Sequence, residues 1–269
     1  DKIRGDTSTD IVLNALESSH PFLKSISQVT VNHFDVDAFT SVWALMYPEH
    51  ALRHTRELRE CAHIGDFREL DLSRPGADTG LKLCCWLNTT ERKHFARPFE
   101  SSDDEKWPVF LESGRFLSVL TDPEAFRSEW QEEYRRVRDD ADLIAASASV
   151  RRYADIDLCA VECPRPVHYY ALFGVTRGCD VVVTSYGDGR VEVEQKYTQF
   201  VDLSSRPTFP RVELGGLAEV LNTLEARLAP AGAEQAVWLC ERAVDTGPLL
   251  RRDLPSRRLS KVLPDPVSK

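Results

Sequence analysis

Gln28-Val29-Thr30-Val31 is a β-branched alternation that gives way, a few residues on, to apolar positions at helical spacing, Ala38, Val42 and Leu45. The change from a period of two to one near 3.6 predicts a strand over 27–32 and a helix over 38–47 that stops before Pro48. Upstream, Ile11 to Leu16 is a short amphipathic stretch in a polar lead-in. Downstream, Glu49 to Ala62 reads as a second helix leading into Ile64-Gly65-Asp66-Phe67, Leu81 to Leu87 as a buried helix, and 97–108 as a loop. Thr121-Asp122-Pro123-Glu124 is a helix start, with a capping residue, a proline in the first turn and an early acid, and its helix runs through Trp130, Tyr134 and Val137 to about Ala146.

The pattern changes character near residue 150. Short apolar runs at 157–163, 168–173, 179–185 and 190–201 read as strands, and Tyr186-Gly187-Asp188-Gly189 joins the last two as a glycine-dependent hairpin turn. Leu214 to Leu228 is an amphipathic helix and Ala236 to Leu239 a further strand. The expected fold is therefore α/β. A helix-rich α/β domain with a parallel sheet spans 1–149, and a smaller α+β domain with a mostly antiparallel sheet spans 150–269.

Between the first strand and its helix stand His33, Asp35 and Asp37, separated by Phe34 and Val36. Alternation turns the three polar side chains to one side of an extended or tightly turning segment, where a hard divalent cation would suit them. Asp37 also stands where a helix N-cap belongs, and capping by itself accounts for one carboxylate. Asp66 is the natural fourth ligand, because Gly65 before it permits close backbone approach. Read alone, Gly65 is equally a helix C-cap with Asp66 opening a polar turn.

Composition narrows the partners. The formal charge of −9 over 269 residues disfavours general nucleic-acid binding, although residues 251–269 are locally basic. Seven cysteines, mostly among apolar neighbours, read as buried thiols in a reducing cytoplasm, and their spacing does not suit a structural zinc. With no basic and apolar leader and no apolar run of membrane-spanning length, the expectation is a soluble protein. No dinucleotide-binding glycine motif, phosphate-binding P-loop, serine-esterase elbow or His-Glu-x-x-His motif occurs.

Candidate substrate contacts lie in the second half. Glu192, Glu194 and Lys196 alternate onto one strand face, either a solvated edge or a substrate face. Arg206 and Arg211 each neighbour a proline and carry the side chain suited to a bidentate grip on phosphate or carboxylate. His168 opens an apolar run, placed as an acid, base or extra ligand or simply held by hydrogen bonds.

His33-Phe34-Asp35-Val36-Asp37, followed by Ala38, Ser41 and a helix, resembles the first motif of the DHH phosphoesterase superfamily, and Gly65-Asp66 is similar to its second. The resemblance covers roughly 27–67. It implies that His33, Asp35, Asp37 and Asp66 bind divalent metal, manganese first with magnesium or iron as alternatives, and that bound water attacks phosphorus while a second domain closes on the substrate. Neither the Asp-His-His triplet nor the Gly-Gly-His signature of that superfamily is in the chain. The expected function is a metal-dependent hydrolase of a phosphate ester or anhydride in a small or nucleotide-like anionic substrate, with His168 as catalytic residue and Lys196, Arg206 and Arg211 binding substrate. Metal-dependent tailoring of a small molecule and a non-catalytic binding module are the alternatives, and a homodimer is left open.

Overall fold

The computed structural model describes residues 2–31, 33–94, 107–196, 203–207, 214–228, 236–241 and 258–262. The chain divides into two units. One comprises Asp1–Ala141, His168–Val175 and Asp202–Pro207, the other Asp142–Val167, Thr176–Val201 and Thr208–Lys269. The division falls inside a helix rather than at residue 150, and two later segments rejoin the first unit.

Helices build the first unit. α1 (Ser8–Glu17) opens on a capping box, in which the Asp10 amide donates to the Thr7 hydroxyl at 3.0 Å and the Thr7 amide to the Asp10 carboxylate at 3.3 Å. α2 (Val36–Met46) is capped by Asp35, and Pro48 starts α3 (Pro48–Arg53) at the one place where a proline costs a helix nothing. α4 (Thr55–Phe67), α5 (Ala77–His94) and α6 (Ser113–Thr121) follow. Asp122 then caps a 3-10 turn at Pro123–Phe126 that runs into α7 (Arg127–Ser147), as the Thr121-Asp122-Pro123-Glu124 signature predicts. Trp43, Trp86, Phe39 and Phe116 fill the core, joined by Tyr170 from α8 (Tyr169–Val175).

The second unit carries the sheet. β1 (Ser149–Tyr153), β2 (Leu158–Cys163), β3 (Val181–Tyr186), β4 (Val191–Gln195), β5 (Val237–Glu241) and β6 (Arg258–Val262) stand in the order β1-β2-β3-β4-β6-β5. The β2–β3 pair is parallel and the other pairs are antiparallel. Between β3 and β4 the hairpin turn closes with Gly189 at φ 87°, a conformation that favours glycine. α9 (Leu214–Leu228) packs through Leu214 and Ala218 on Val193.

The α/β class holds, but the sheet lies elsewhere than expected. Every strand among the described residues begins at 149 or later, and the stretch expected to be a strand at 27–32 is irregular over 27–31. The run 168–173 is helical rather than extended. Parallel neighbours require the chain to cross back between them, and α8 is the helix in the β2-to-β3 crossover. Its apolar run is too short for periodicity to separate helix from strand. Cys159 and Cys179, expected as thiols, form a disulfide, whereas Cys61, Cys84, Cys85 and Cys163 are free and buried. Among the described residues no helix is long and apolar enough to cross a membrane.

Candidate metal centre

The site is built where α4 meets the N-terminus of α2. Gly65 makes the approach possible: a Cβ on it would lie 2.4 Å from the Val36 Cβ, so no larger residue fits without displacing α2. The expected close approach is therefore real, while the expected C-cap is not. α4 continues past Gly65 and ends at Arg68, whose backbone is left-handed at φ 61°, ψ 17°. Asp66 is thereby carried into the electrostatic reach of Asp35, Asp37 and His33.

Asp35, not Asp37, is the N-cap of α2. Its Oδ1 accepts from the Ala38 amide at 2.6 Å, and its Oδ2 meets the His33 Nε2 at 2.8 Å. Asp37 lies in the first turn of α2 and is buried. Its two oxygens accept from the amides of Ser8 at 2.7 Å and Thr9 at 2.8 Å, so this carboxylate anchors the first turn of α1. Thr9 completes the junction by meeting the Thr40 hydroxyl at 2.6 Å. Sequence spacing places Asp37 near a helix start without revealing that the helix it serves is α1.

Charge follows from this geometry. Burial and the Asp35 charge push the Asp37 carboxyl above the ordinary range, against the hydrogen bonds from Thr9 and Ser8. Surrounding protein, then the charges of Asp35 and Asp37, push Asp66 well above it, with Arg68 and His33 opposing. The Asp66 side chain is nevertheless open to solvent, so repulsion between like charges is the cause that matters for its chemistry.

Three carboxylates with one imidazole form a donor set suited to manganese, magnesium or ferrous iron. Among the described residues, however, no three His, Cys, Asp or Glu side chains are gathered as a metal ion requires. His33 and Asp35 face one another while Asp37 faces α1. The donor types fit such an ion, and each oxygen of Asp35 and Asp37 keeps a second acceptor position beyond the bond it makes here.

The other residues singled out from the sequence lie apart from this group. His168 is buried just before α8. Its Nδ1 accepts from the Tyr170 amide at 3.2 Å and its Nε2 stands 3.6 Å from Glu133, while its own amide donates to Asp140 at 2.7 Å. Lys196 is not on the solvent face of β4, which ends at Gln195. It is buried, with its ammonium donating to the Thr176 carbonyl at 2.7 Å and the Thr176 hydroxyl at 3.3 Å. Arg206 pairs with Glu69 at 3.1 Å, and Arg211 lies outside the described residues. Two further residues carry no motif: Arg68 at the end of α4, within the electrostatic reach of Asp66, and Tyr169 in α8, whose ring centroid lies 5.1 Å from the Arg68 guanidinium carbon. A charged residue directly after Gly-Asp-Phe is the one sequence signal for the first.

No curated protein and no solved structure matches the chain. A family match extends over residues 1–263, and the chain belongs to that family, described as Family of unknown function (DUF6687).

Proposed function

We propose that this protein is a metal-dependent hydrolase of a phosphate ester or anhydride in a small anionic substrate. The observation that carries the reading is the approach of Gly65 to Val36, which sets Asp66 within reach of the Asp35 and Asp37 charges, so that its surroundings and those charges push its carboxyl up. A divalent cation relieves that repulsion. His33, Asp35, Asp37 and Asp66 are the residues assigned to hold it, in line with the resemblance of their segment to DHH phosphoesterases.

When bound, such an ion lowers the pKa of a coordinated water and polarises a phosphoryl oxygen. The chain's own contribution is placement. The Ala38 and Ser8–Thr9 amides fix the Asp35 and Asp37 carboxylates on a rigid helix start. His33 and Asp35 hold each other at 2.8 Å, so each orients the other's side chain. Asp66, open to solvent, is the carboxylate with freedom to turn to an ion or to take a proton from attacking water.

Elemental analysis and calorimetric titration of chelator-treated protein with Mn2+, Mg2+ and Fe2+, followed by a panel of phosphodiesters and pyrophosphate, test the proposal. The expected result is stoichiometric binding that Asp35→Asn and Asp66→Asn each weaken, with turnover lost in step. Stoichiometric metal with no turnover on any phosphate substrate supports the binding-module reading. Full activity in Asp35→Asn rules out the site assigned here, and wild-type protein that neither binds these ions nor turns over any phosphate substrate rules the hydrolase out.

A further inference from the structure

The end of α4 carries an arginine where a glycine would be at ease. Arg68 is a helix C-cap in the left-handed region, which β-carbon-bearing residues other than asparagine and aspartate rarely enter. Strain kept at one position directs attention to what its side chain does.

The neighbours of Arg68 are all fixed. Phe67 is buried with its ring 5.4 Å from that of His63. Glu69, the nearest carboxylate along the chain, is taken by Arg206 at 3.1 Å. Leu70 is buried, and its carbonyl lies so near Gly174 that a Cβ there would stand 2.5 Å from the oxygen. That contact ties the segment to α8, the helix that presents Tyr169. The Arg68 guanidinium sits 5.1 Å from the Tyr169 ring centroid, and Tyr169 is 40% exposed.

Among the described residues, the Arg68 side chain makes no hydrogen bond and no ion pair, although it stands within the electrostatic reach of Asp66. Elsewhere in this unit the half-buried arginines are engaged: Arg59 holds Asp10, Asn14 and Glu17, and Arg206 holds Glu69. A guanidinium on a fixed stretch of backbone, backed by a phenol ring and with no side chain among the described residues taking its donors, suits a planar bidentate grip on an oxyanion.

We infer that Arg68, backed by Tyr169, is the binding site for the phosphate group of the ligand, two residues along the chain from Asp66 at the end of α4. This deepens the hydrolase reading by placing the substrate's anionic end, and it identifies a residue the motif resemblance does not include. The ligand class is a phosphate-bearing anion, and inorganic pyrophosphate is its simplest probe.

The test is calorimetric titration of the full-length chain with pyrophosphate, first after chelator treatment and then with Mn2+. Arg68→Gln is expected to weaken binding by roughly ten-fold or more, and Arg68→Lys to recover only part of it, since an ammonium keeps the charge but not the fork. Arg68→Gly separates binding from folding. Relieved of left-handed strain, it is expected to melt higher than wild type, by on the order of 2 °C, while binding pyrophosphate as poorly as Arg68→Gln. Wild-type protein that does not bind pyrophosphate under either condition, or Arg68 variants that bind it as wild type does, would overturn the assignment. Arg68-dependent pyrophosphate binding without hydrolysis leaves this site standing and removes only the catalytic reading. Hydrolysis unaffected by Arg68→Gln does the reverse.

Discussion

Gly65 and Val36 are in contact through the one position in α4 that has no side chain to lose: a Cβ on Gly65 would meet the Val36 Cβ at 2.4 Å and its two methyl carbons at 2.6 and 2.9 Å. Both partners are held by a packed core, Val36 being 5% exposed, so neither has room to yield. Gly65→Ala is expected to cost about 2 kcal/mol as an overpacking change, even though alanine favours helix more than glycine does. Urea unfolding measures this. A more stable Gly65→Ala protein would show that helix propensity outweighs the contact and that Asp66 is not set by it.

How far the sequence discloses this arrangement depends on whether the cause is local. The Thr121-Asp122-Pro123-Glu124 start, the Leu214–Leu228 helix and the hairpin at 186–189 are decided within a few residues, and the structure has them where periodicity and turn chemistry put them. His168 to Phe173 reads as a strand because six residues sample less than two turns, and only the parallel β2–β3 pairing demands a crossover there. β6 was hidden in a basic stretch because charge masked its alternation. At the site, Gly65 as a close-approach residue is readable. The docking of α1 onto Asp37 and of Tyr169 onto Arg68 joins segments far apart in the chain, and no local spacing encodes either.

Asp10 provides a pH signature for the α1–α4 packing. It accepts from Arg59 at 2.9 Å and meets the His63 Nε2 at 2.7 Å. Burial opposes ionisation, but the His63 and Arg59 contacts outweigh it and bring the carboxyl down to about 2. A depressed carboxylate stabilises the fold above its ordinary pKa of about 4, and that stability is lost as pH falls through the folded-state value. The loss expected is about 2 kcal/mol. Urea midpoints followed from neutral to acid pH should fall more steeply in wild type than in Asp10→Asn. Parallel curves for the two proteins would refute the coupling.

His168 is expected to act through structure. Its ring accepts from the Tyr170 amide and faces buried Glu133, which Arg92 and Asn88 also contact. Losing the imidazole strips a helix start of its acceptor and leaves Glu133 short of a partner, so His168→Ala should cost about 2 kcal/mol. His168→Asn restores an oxygen suited to capping and should recover part of the loss. If the residue acts in chemistry instead, His168→Asn will fold as wild type does and show no turnover. Thermal unfolding together with activity on the same preparations decides between the two.

Asp66 should display a conflict between folding and binding. Its carboxyl is raised by its surroundings and by the charges of Asp35 and Asp37, so the fold prefers the protonated form. The stability linked to that proton is present below the ordinary carboxylate range and lost as pH rises through the raised value. At neutral and higher pH the ionised side chain therefore works against the metal-free fold. Asp66→Asn removes the charge, and in the presence of chelator it should melt above wild type at about pH 8, with the gap closing toward about pH 4. Adding Mn2+ should reverse the order if Asp66 holds the proposed ion, because an ion that binds only the folded state stabilises it by mass action and asparagine is the weaker donor. Differential scanning calorimetry with and without Mn2+ gives all four melting temperatures from two proteins. A variant that gains as much from Mn2+ as wild type would remove Asp66 from the metal site, and one that melts below wild type at about pH 8 in chelator would show that its neighbours' charges do not oppose it.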